Sequence, residues 1–311
     1  MTWVLLAIAS ALLLGFYDVS KKQSLRGNAV IPVLLLHTLF SSIIFLPCVL
    51  LSAGGLLPDD HILHTATYGW EQQRFILLKS TIVLSSWLFG YYGMKWLPIT
   101  LVGPINATRP VMVLIGALTL FGERLGLWQW LGVLTAMLGL WMLSRSGKKE
   151  GIRFAHNKWI LCVFLSNVLG ALSALYDKFL LASPENGGVG LDKVAVQSYF
   201  NFYQLGMMAL VFLLLCRPFS RRGAEGVHAF RWRWSIPLIS IFIACADFAY
   251  FYCLSLDGAM VSIVSMLRRG SVVVSFTVGA LLFGEGNLRA KAIDLALVLL
   301  SMVFLCIGSL Q

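Results

Sequence analysis

Ten apolar stretches divide this chain and leave little between them. They run Trp3–Val19, Ala29–Leu51, Phe75–Met94, Pro98–Phe121, Leu127–Leu143, Trp159–Leu181, Val194–Cys216, Trp234–Leu256, Ala259–Phe283 and Ala290–Leu310. A helix needs about 20 such residues to cross the hydrocarbon core of a bilayer. The stretches lack period-2 alternation, so a membrane barrel is excluded and helices are expected. The longest connections lie near 52–73, 144–158, 183–193 and 217–233, which leaves no room for a soluble domain. Only 12% of the 311 residues are charged and 59% are hydrophobic, whereas a soluble domain carries about 25% charge. That balance excludes a soluble enzyme, a disordered chain and a disulfide scaffold. The net charge of +10 has no hydrated surface on which to form a nucleic-acid patch, so the expected partners are the lipid bilayer and a small-molecule substrate.

The first stretch has no basic residues before it and no small-residue cleavage site, so it reads as a retained span. The six cysteines, Cys48, Cys162, Cys216, Cys245, Cys253 and Cys306, sit in or at the ends of apolar stretches. None has metal-ligand spacing, and they read as small packing residues. No metal and no cofactor is expected.

The chain repeats itself. Tyr17-Asp18 matches Tyr176-Asp177 at an offset of 159, and Tyr92 through Arg109 runs against Tyr252 through Arg269 at 160. Leu120-Phe121-Gly122-Glu123 matches Leu282-Phe283-Gly284-Glu285 at 162. The register sets Arg109 opposite Arg269 and Pro110 opposite Gly270. An odd number of spans per repeat forces opposite orientations on the two copies. The expected fold is therefore all-α and integral to the membrane: ten transmembrane helices as two inverted five-helix repeats, 1–150 and 151–311, forming a single transport unit. Such inverted repeats hold their substrate near the bilayer midplane.

Ten spans, a five-plus-five repeat and a Gly-Glu closing spans 4 and 9 resemble the EamA-type permeases of the drug/metabolite transporter superfamily. The segments LTLFGERLGLWQWLGVLTAMLGL (118–140) and GALLFGEGNLRAKAIDLALVLL (279–300) carry the resemblance best. Residues 264–285, VSMLRRGSVVVSFTVGALLFGE, are also similar to the ninth span of the triose-phosphate and nucleotide-sugar translocators. The resemblance implies a secondary transporter, not an enzyme. It also implies that Arg268 and Arg269 correspond to the basic pair with which those carriers engage substrate phosphate.

Five basic residues lie within spans: Lys79, Arg109, Lys178, Arg268 and Arg269. A charge at mid-bilayer costs about 2.5–3.5 kcal/mol even on the lenient insertion scale, so each requires a partner or a polar cavity. One reading pairs Arg109 with Asp18 and Arg269 with Asp177. The other turns Arg109 and Arg269 into a central cavity, where a guanidinium grips a carboxylate or phosphate through two parallel hydrogen bonds. Adjacent helical residues point about 100° apart, so Arg268 is expected to reach an acid or a neighbouring span instead. Asp18, Asp177, Asp247 and Lys178 are candidates for charge pairing or proton coupling. Lys79, Asn106, Tyr91, Tyr250, Asn201 and Gln204 complete the candidate substrate-binding set. Asn201 and Gln204 share a helix face, and Tyr91 and Tyr250 come from matched aromatic clusters in spans 3 and 8.

Connections after odd-numbered spans carry sixteen Lys and Arg, Lys21, Lys22 and Lys291 among them, against three after even-numbered spans. The positive-inside rule then puts the odd connections in the cytoplasm and both termini outside, whereas the family resemblance implies both termini inside. The expected location is the cytoplasmic (inner) membrane, as a monomer or homodimer.

No ATP-binding loop is present, so the driving force is a gradient or exchange. The leading functional expectation is a permease for a small polar metabolite, anionic or phosphorylated, working by alternating access. The alternative is an exporter of organic cations or amino acids coupled to protons through an intramembrane Asp.

Overall fold

The computed structural model describes residues 2–58, 61–113, 115, 126–182, 184–219, 230–254, 264 and 267–310. It is all-helical. Ten α-helices with both ends described follow one another: α1 Thr2–Leu25, α2 Val30–Ala53, α3 Trp70–Trp96, α4 Ile99–Ala107, α5 Leu127–Lys148, α6 Lys158–Leu181, α7 Lys193–Phe219, α8 Ser235–Leu254, α9 Ser271–Phe283 and α10 Leu288–Leu310. Single 3₁₀ turns at Phe154–His156 and Pro184–Asn186 precede α6 and α7. Six described helices are long and apolar enough to cross a membrane. Helices suit that solvent because each one satisfies its own backbone donors and acceptors where no water can. Leucines and tryptophans such as Leu127, Leu134, Trp141, Leu161 and Leu281 stay exposed, which is the surface expected of helices that face lipid.

Two spans are interrupted within the described residues. The fourth runs Ile99–Ala107, turns at Thr108 and resumes a helical course over 109–113. The ninth is interrupted at Gly270, between the helical residues 267–269 and α9. The interruptions fall beside Arg109 and Arg269. A broken helix at this depth frees backbone polar groups and marks the cavity-lining part of a carrier.

Hydrogen bonds between connections show which helix ends share a face. Lys22 Nζ donates to the carbonyls of Met94, at 2.9 Å, and Leu97, bringing the end of α1 beside the end of α3. Arg233 donates to the carbonyls of Gln23 and Arg26, both at 2.8 Å, and Asn287 Nδ2 donates to Ser146 O at 3.1 Å. The connections after α1, α3, α5, α7 and α9 therefore share one face, here the odd face. The backbone N–H of Asp192 donates to Tyr68 Oη at 2.6 Å, and that of Thr65 to Ser52 Oγ at 2.9 Å, on the opposite, even face.

α1 packs against α8, α3 against α6, α2 against α7, α5 against α10 and α4 against α9, with α9 also touching α1 and α8 also touching α2. Each partnership joins residues 1–150 to residues 151–311, so the two stretches interleave. Shifting every helix number by five returns the first five pairs.

The Gly-Glu landmark acquires a structural reason here. Gly284 ends α9 in the left-handed conformation, φ 61°, which a side chain would strain. Glu285 then crosses to the start of α4, where its carboxylate accepts the N–H groups of Ile99 at 2.7 Å and Thr100 at 2.9 Å and the Thr100 hydroxyl. An anion at a helix N-terminus satisfies orphan donors and the dipole together. Lys291 Nζ, fully buried, donates to Thr100 Oγ1 at 2.9 Å and pairs with Glu150 at 2.7 Å. The matching Gly122-Glu123 lies outside the described residues.

Two lysines counted above with the connections are therefore misplaced there. Lys291 lies within α10, and Lys21 lies within α1 and is only 8% exposed. Both are interior charges, and the count for the odd face falls accordingly.

Candidate functional site

The interior holds two cavities that meet at a waist. The first, of about 330 Å³, opens among α1, α3, α4, α8 and α9, and Asp18, Lys21, Tyr91, Asn106, Tyr250 and Arg268 line it. The second, of about 300 Å³, is lined by Ser41, Lys79, Gly170, Asp177, Asn201 and Asp247 among others. Lys21 and Met94 put the first chamber toward the odd face. Asp177 and Gln197, from the end of α6 and the start of α7, put the second toward the even face. Both chambers share Ser86, Trp87, Arg109, Ile243 and Arg269.

Arg109 stands just past the Thr108 turn, and α6 receives it. Its Nη2 and Nε donate to Asn167 Oδ1 at 3.1 and 3.3 Å, and Asn167 Nδ2 donates back to Ile105 O at 3.1 Å. One turn along α6, Gly170 leaves the room the guanidinium occupies: a Cβ there would stand 2.6 Å from Arg109 Cζ. Arg269 precedes the Gly270 turn. Among the described residues neither Arg109 nor Arg269 has a carboxylate partner.

Every carboxylate that lines the chambers does have a cation. Asp18 pairs with Lys21 at 2.8 Å, Asp177 pairs with Lys79 at 2.6 Å, and Asp247 pairs with Arg268. The alternative pairing of Arg109 with Asp18 and Arg269 with Asp177 is not what the helices bring together, because lysines on α1 and α3 reach those acids first. Three acids and five cations line the two chambers, so the described lining keeps two positive charges, both at the waist.

The aromatic residues divide between the chambers and the core. The Arg268 guanidinium carbon lies 4.4 Å from the centre of the Tyr250 ring, and Lys21 Nζ lies 4.4 Å from that of Tyr17, both within cation–π range. Tyr91 is almost fully buried and shares a 2.7 Å hydrogen bond with His37 Nδ1, while the His37 ring stacks on Trp87 with centroids 4.7 Å apart. His37 thus backs the aromatic wall of the odd-face chamber. The sequence pattern did not single it out, since a lone histidine among apolar residues has no spacing to read. Asn167 and Gly170 escaped for the same reason. Asn201 lines the even-face chamber and donates to Gln197 O at 2.7 Å. Gln204 lines neither cavity; it is fully buried, and its amide has no hydrogen-bond partner among the described residues. The side chain of Lys178 lies outside the described residues.

A ten-helix bundle with an interior charged cavity at interrupted spans is the architecture of a multi-pass membrane carrier. Residues 1–145 match the model of the EamA-like transporter family, within the drug/metabolite transporter superfamily. The match implies a secondary transporter and a multi-pass integral membrane protein, not an enzyme. No curated protein matches it. A solved structure described only as "Crystal structure of protein" shares the fold, with a TM-score of 0.57 over 98% of each chain at 13% identity.

Proposed function

We propose that this transporter moves a small polar metabolite bearing a dianionic group, a phosphate monoester above all, with Arg109 and Arg269 as its anion clamp. The observation that carries this reading is the charge distribution: among the described residues, the three chamber carboxylates are paired with cations, and the two waist arginines have no carboxylate. An uncompensated buried cation is costly, and a bound dianion removes that cost for both at once. Asn106, Ser86 and the rings of Tyr250 and Trp87 border the same volume and suit the polar and ring portions of the solute. The alternative, an exporter of cations, requires a free carboxylate, and Asp18, Asp177 and Asp247 are each engaged by a lysine or arginine.

Transport proceeds by alternating access, the halves 1–150 and 151–311 rocking about the waist as one transport unit, alone or as a homodimer. The interleaved, five-shifted packing supports that division. The protein resides in the cytoplasmic membrane with the basic odd face inward, on the positive-inside rule.

The test is thermal stability of the purified protein against a panel of phosphate monoesters, dicarboxylates, amino acids and organic cations. A ligand that binds only the folded state raises stability. Phosphate monoesters are expected to do so in the wild type and not in Arg269→Ala. Stabilisation by organic cations alone would reverse the reading.

A further inference from the structure

A ladder of side chains crosses the odd face between α3 and α6. Lys95 Nζ lies 5.0 Å from the centre of the Trp96 ring, Trp96 stacks on Trp159 with centroids 5.3 Å apart at 15°, and Lys158 Nζ lies 4.8 Å from the Trp159 ring. Tyr92 stacks on the same indole at 6.2 Å. Beside the ladder, the connection ahead of α6 folds an open hollow of about 470 Å³, lined by Arg153, His156, Lys158 and Trp159 together with Gly151 and Asn157.

Three properties of this place point to one kind of ligand. It is cationic and holds no acid: no carboxylate lines the hollow. Glu150, the nearest in sequence, is engaged by Lys291, and among the described residues no acid pairs with Lys95, Arg153 or Lys158. Its depth is that of lipid headgroups, because α3 ends at Trp96 and α6 begins at Lys158, and stacked indoles belong at that boundary. Beside the charges Trp96 leaves 46% of its surface exposed, apolar area suited to an acyl chain. A freely diffusing anion would use only the charges. A phospholipid uses the charges and the indole face.

We propose that the ladder and hollow form a binding site for the headgroup of an anionic phospholipid. The lipid phosphate is held by Arg153 and Lys158 beside α6, its chain lies along Trp96 of α3, and Lys95 flanks the far end of the ladder. Because α3 belongs to the first half and α6 to the second, the lipid acts as a clamp that favours the state in which they are packed at the odd face. The proposal is independent of what the central chambers carry.

The experiment uses the full chain in nanodiscs of phosphatidylcholine, with or without phosphatidylglycerol, read by thermal unfolding and by native mass spectrometry of retained lipid. The wild type is expected to unfold at a higher temperature with phosphatidylglycerol and to retain it. Lys95→Gln/Arg153→Gln/Lys158→Gln is expected to lose both effects. Arg26→Gln/Lys148→Gln/Arg289→Gln, which removes three exposed charges elsewhere on the same face, is expected to keep them. An undiminished shift in the ladder variant overturns the proposal. So does equal loss in the control variant, which would mean diffuse surface attraction, and so does an equal shift from inorganic phosphate in phosphatidylcholine discs. Should the triple variant fail to purify, Lys158→Gln alone is read by lipid retention, where a severalfold fall is expected and an unchanged value overturns.

Discussion

The two lysine–aspartate pairs on either side of the waist look like counterparts and are built differently. Asp18 and Asp177 occupy matched positions of the repeat, but their lysines do not. Lys21 sits three residues along the same helix, so the pair it forms with Asp18 is local to α1. Lys79 comes from α3 and reaches Asp177 on α6, so that pair ties the two halves together. The repeat positions matching Lys21 and Lys79 hold Leu180 and Ile239, both fully buried. The first half thus supplies both lysines. On the proposed rocking of the halves, Lys79 and Asp177 separate when the even face opens, whereas Lys21 and Asp18 travel together on one helix. The odd face is joined by another device, the Glu285 cap on α4 reinforced by Lys291. On that proposal, a bundle symmetric in its helices opens its two sides against different forces.

The largest effect is expected at the waist, which both chambers share. Arg109→Ala or Arg269→Ala should weaken binding of a phosphate monoester at least tenfold, since a hydrogen bond to a charged group is worth about 1.5–3 kcal/mol; isothermal titration measures this. Equal loss in both variants sharpens the picture of a single site serving two chambers, and loss in one alone breaks it.

Next come the pairs. Lys79→Met strands the Asp177 carboxylate and should destabilise the protein by about 2 kcal/mol, less than the 3–5 kcal/mol of a fully buried pair because Asp177 keeps contact with solvent. Adding Asp177→Asn should restore most of the loss. In double-mutant cycles of thermal unfolding, the coupling of Lys79 to Asp177 is expected to change when an anion is bound, and that of Lys21 to Asp18 is not. Identical responses would erase the distinction between the tie and the local pair.

Glu285→Ala removes the cap from α4 and should cost about 1 kcal/mol, with Lys291 still held by Glu150. A cost confined to thermal stability, with anion affinity unchanged, marks the odd-face network as a tie between helices and not as part of the clamp.

The smallest effects compare two glycines. Gly170→Ala presses on Arg109 and should lower anion affinity severalfold with little change in stability. Gly206, on α7, has open space where a methyl group would stand, so Gly206→Ala should leave affinity alone and gain up to about 1 kcal/mol from helix propensity. Matching behaviour at the two sites would remove the packing argument for Gly170.

Much of the fold was legible beforehand because membrane solvation acts residue by residue. Ten apolar stretches became ten helices, and the repeat placed Arg109 and Arg269 in register at what proved to be the two interruptions. What periodicity missed is instructive. The fourth stretch looked continuous, but its helix is interrupted at Thr108, which turns the backbone without altering hydropathy, before the helical course resumes over 109–113. Lys21 and Lys291 looked like connection charges because each lies within two residues of the edge of an apolar stretch; burial depends on the helices packed over them. His37, Asn167 and Gly170 carry no pattern at all, and their roles come from a tyrosine, an arginine and an empty volume on other helices.

The order of residues alone carried the solvent of this protein, its ten helices, its internal repeat and the few charges that demand an explanation. How those charges are satisfied was settled by packing. Attraction between ions falls with distance and with screening by water, and the pairs that matter here join residues far apart in the chain, such as Glu150 and Lys291. Hydropathy is a property each segment carries alone, whereas a salt bridge belongs to two segments at once. The assignment of Lys21, Lys79 and Arg268 to the acids, which among the described residues leaves Arg109 and Arg269 without carboxylates, emerged only when the helices came together.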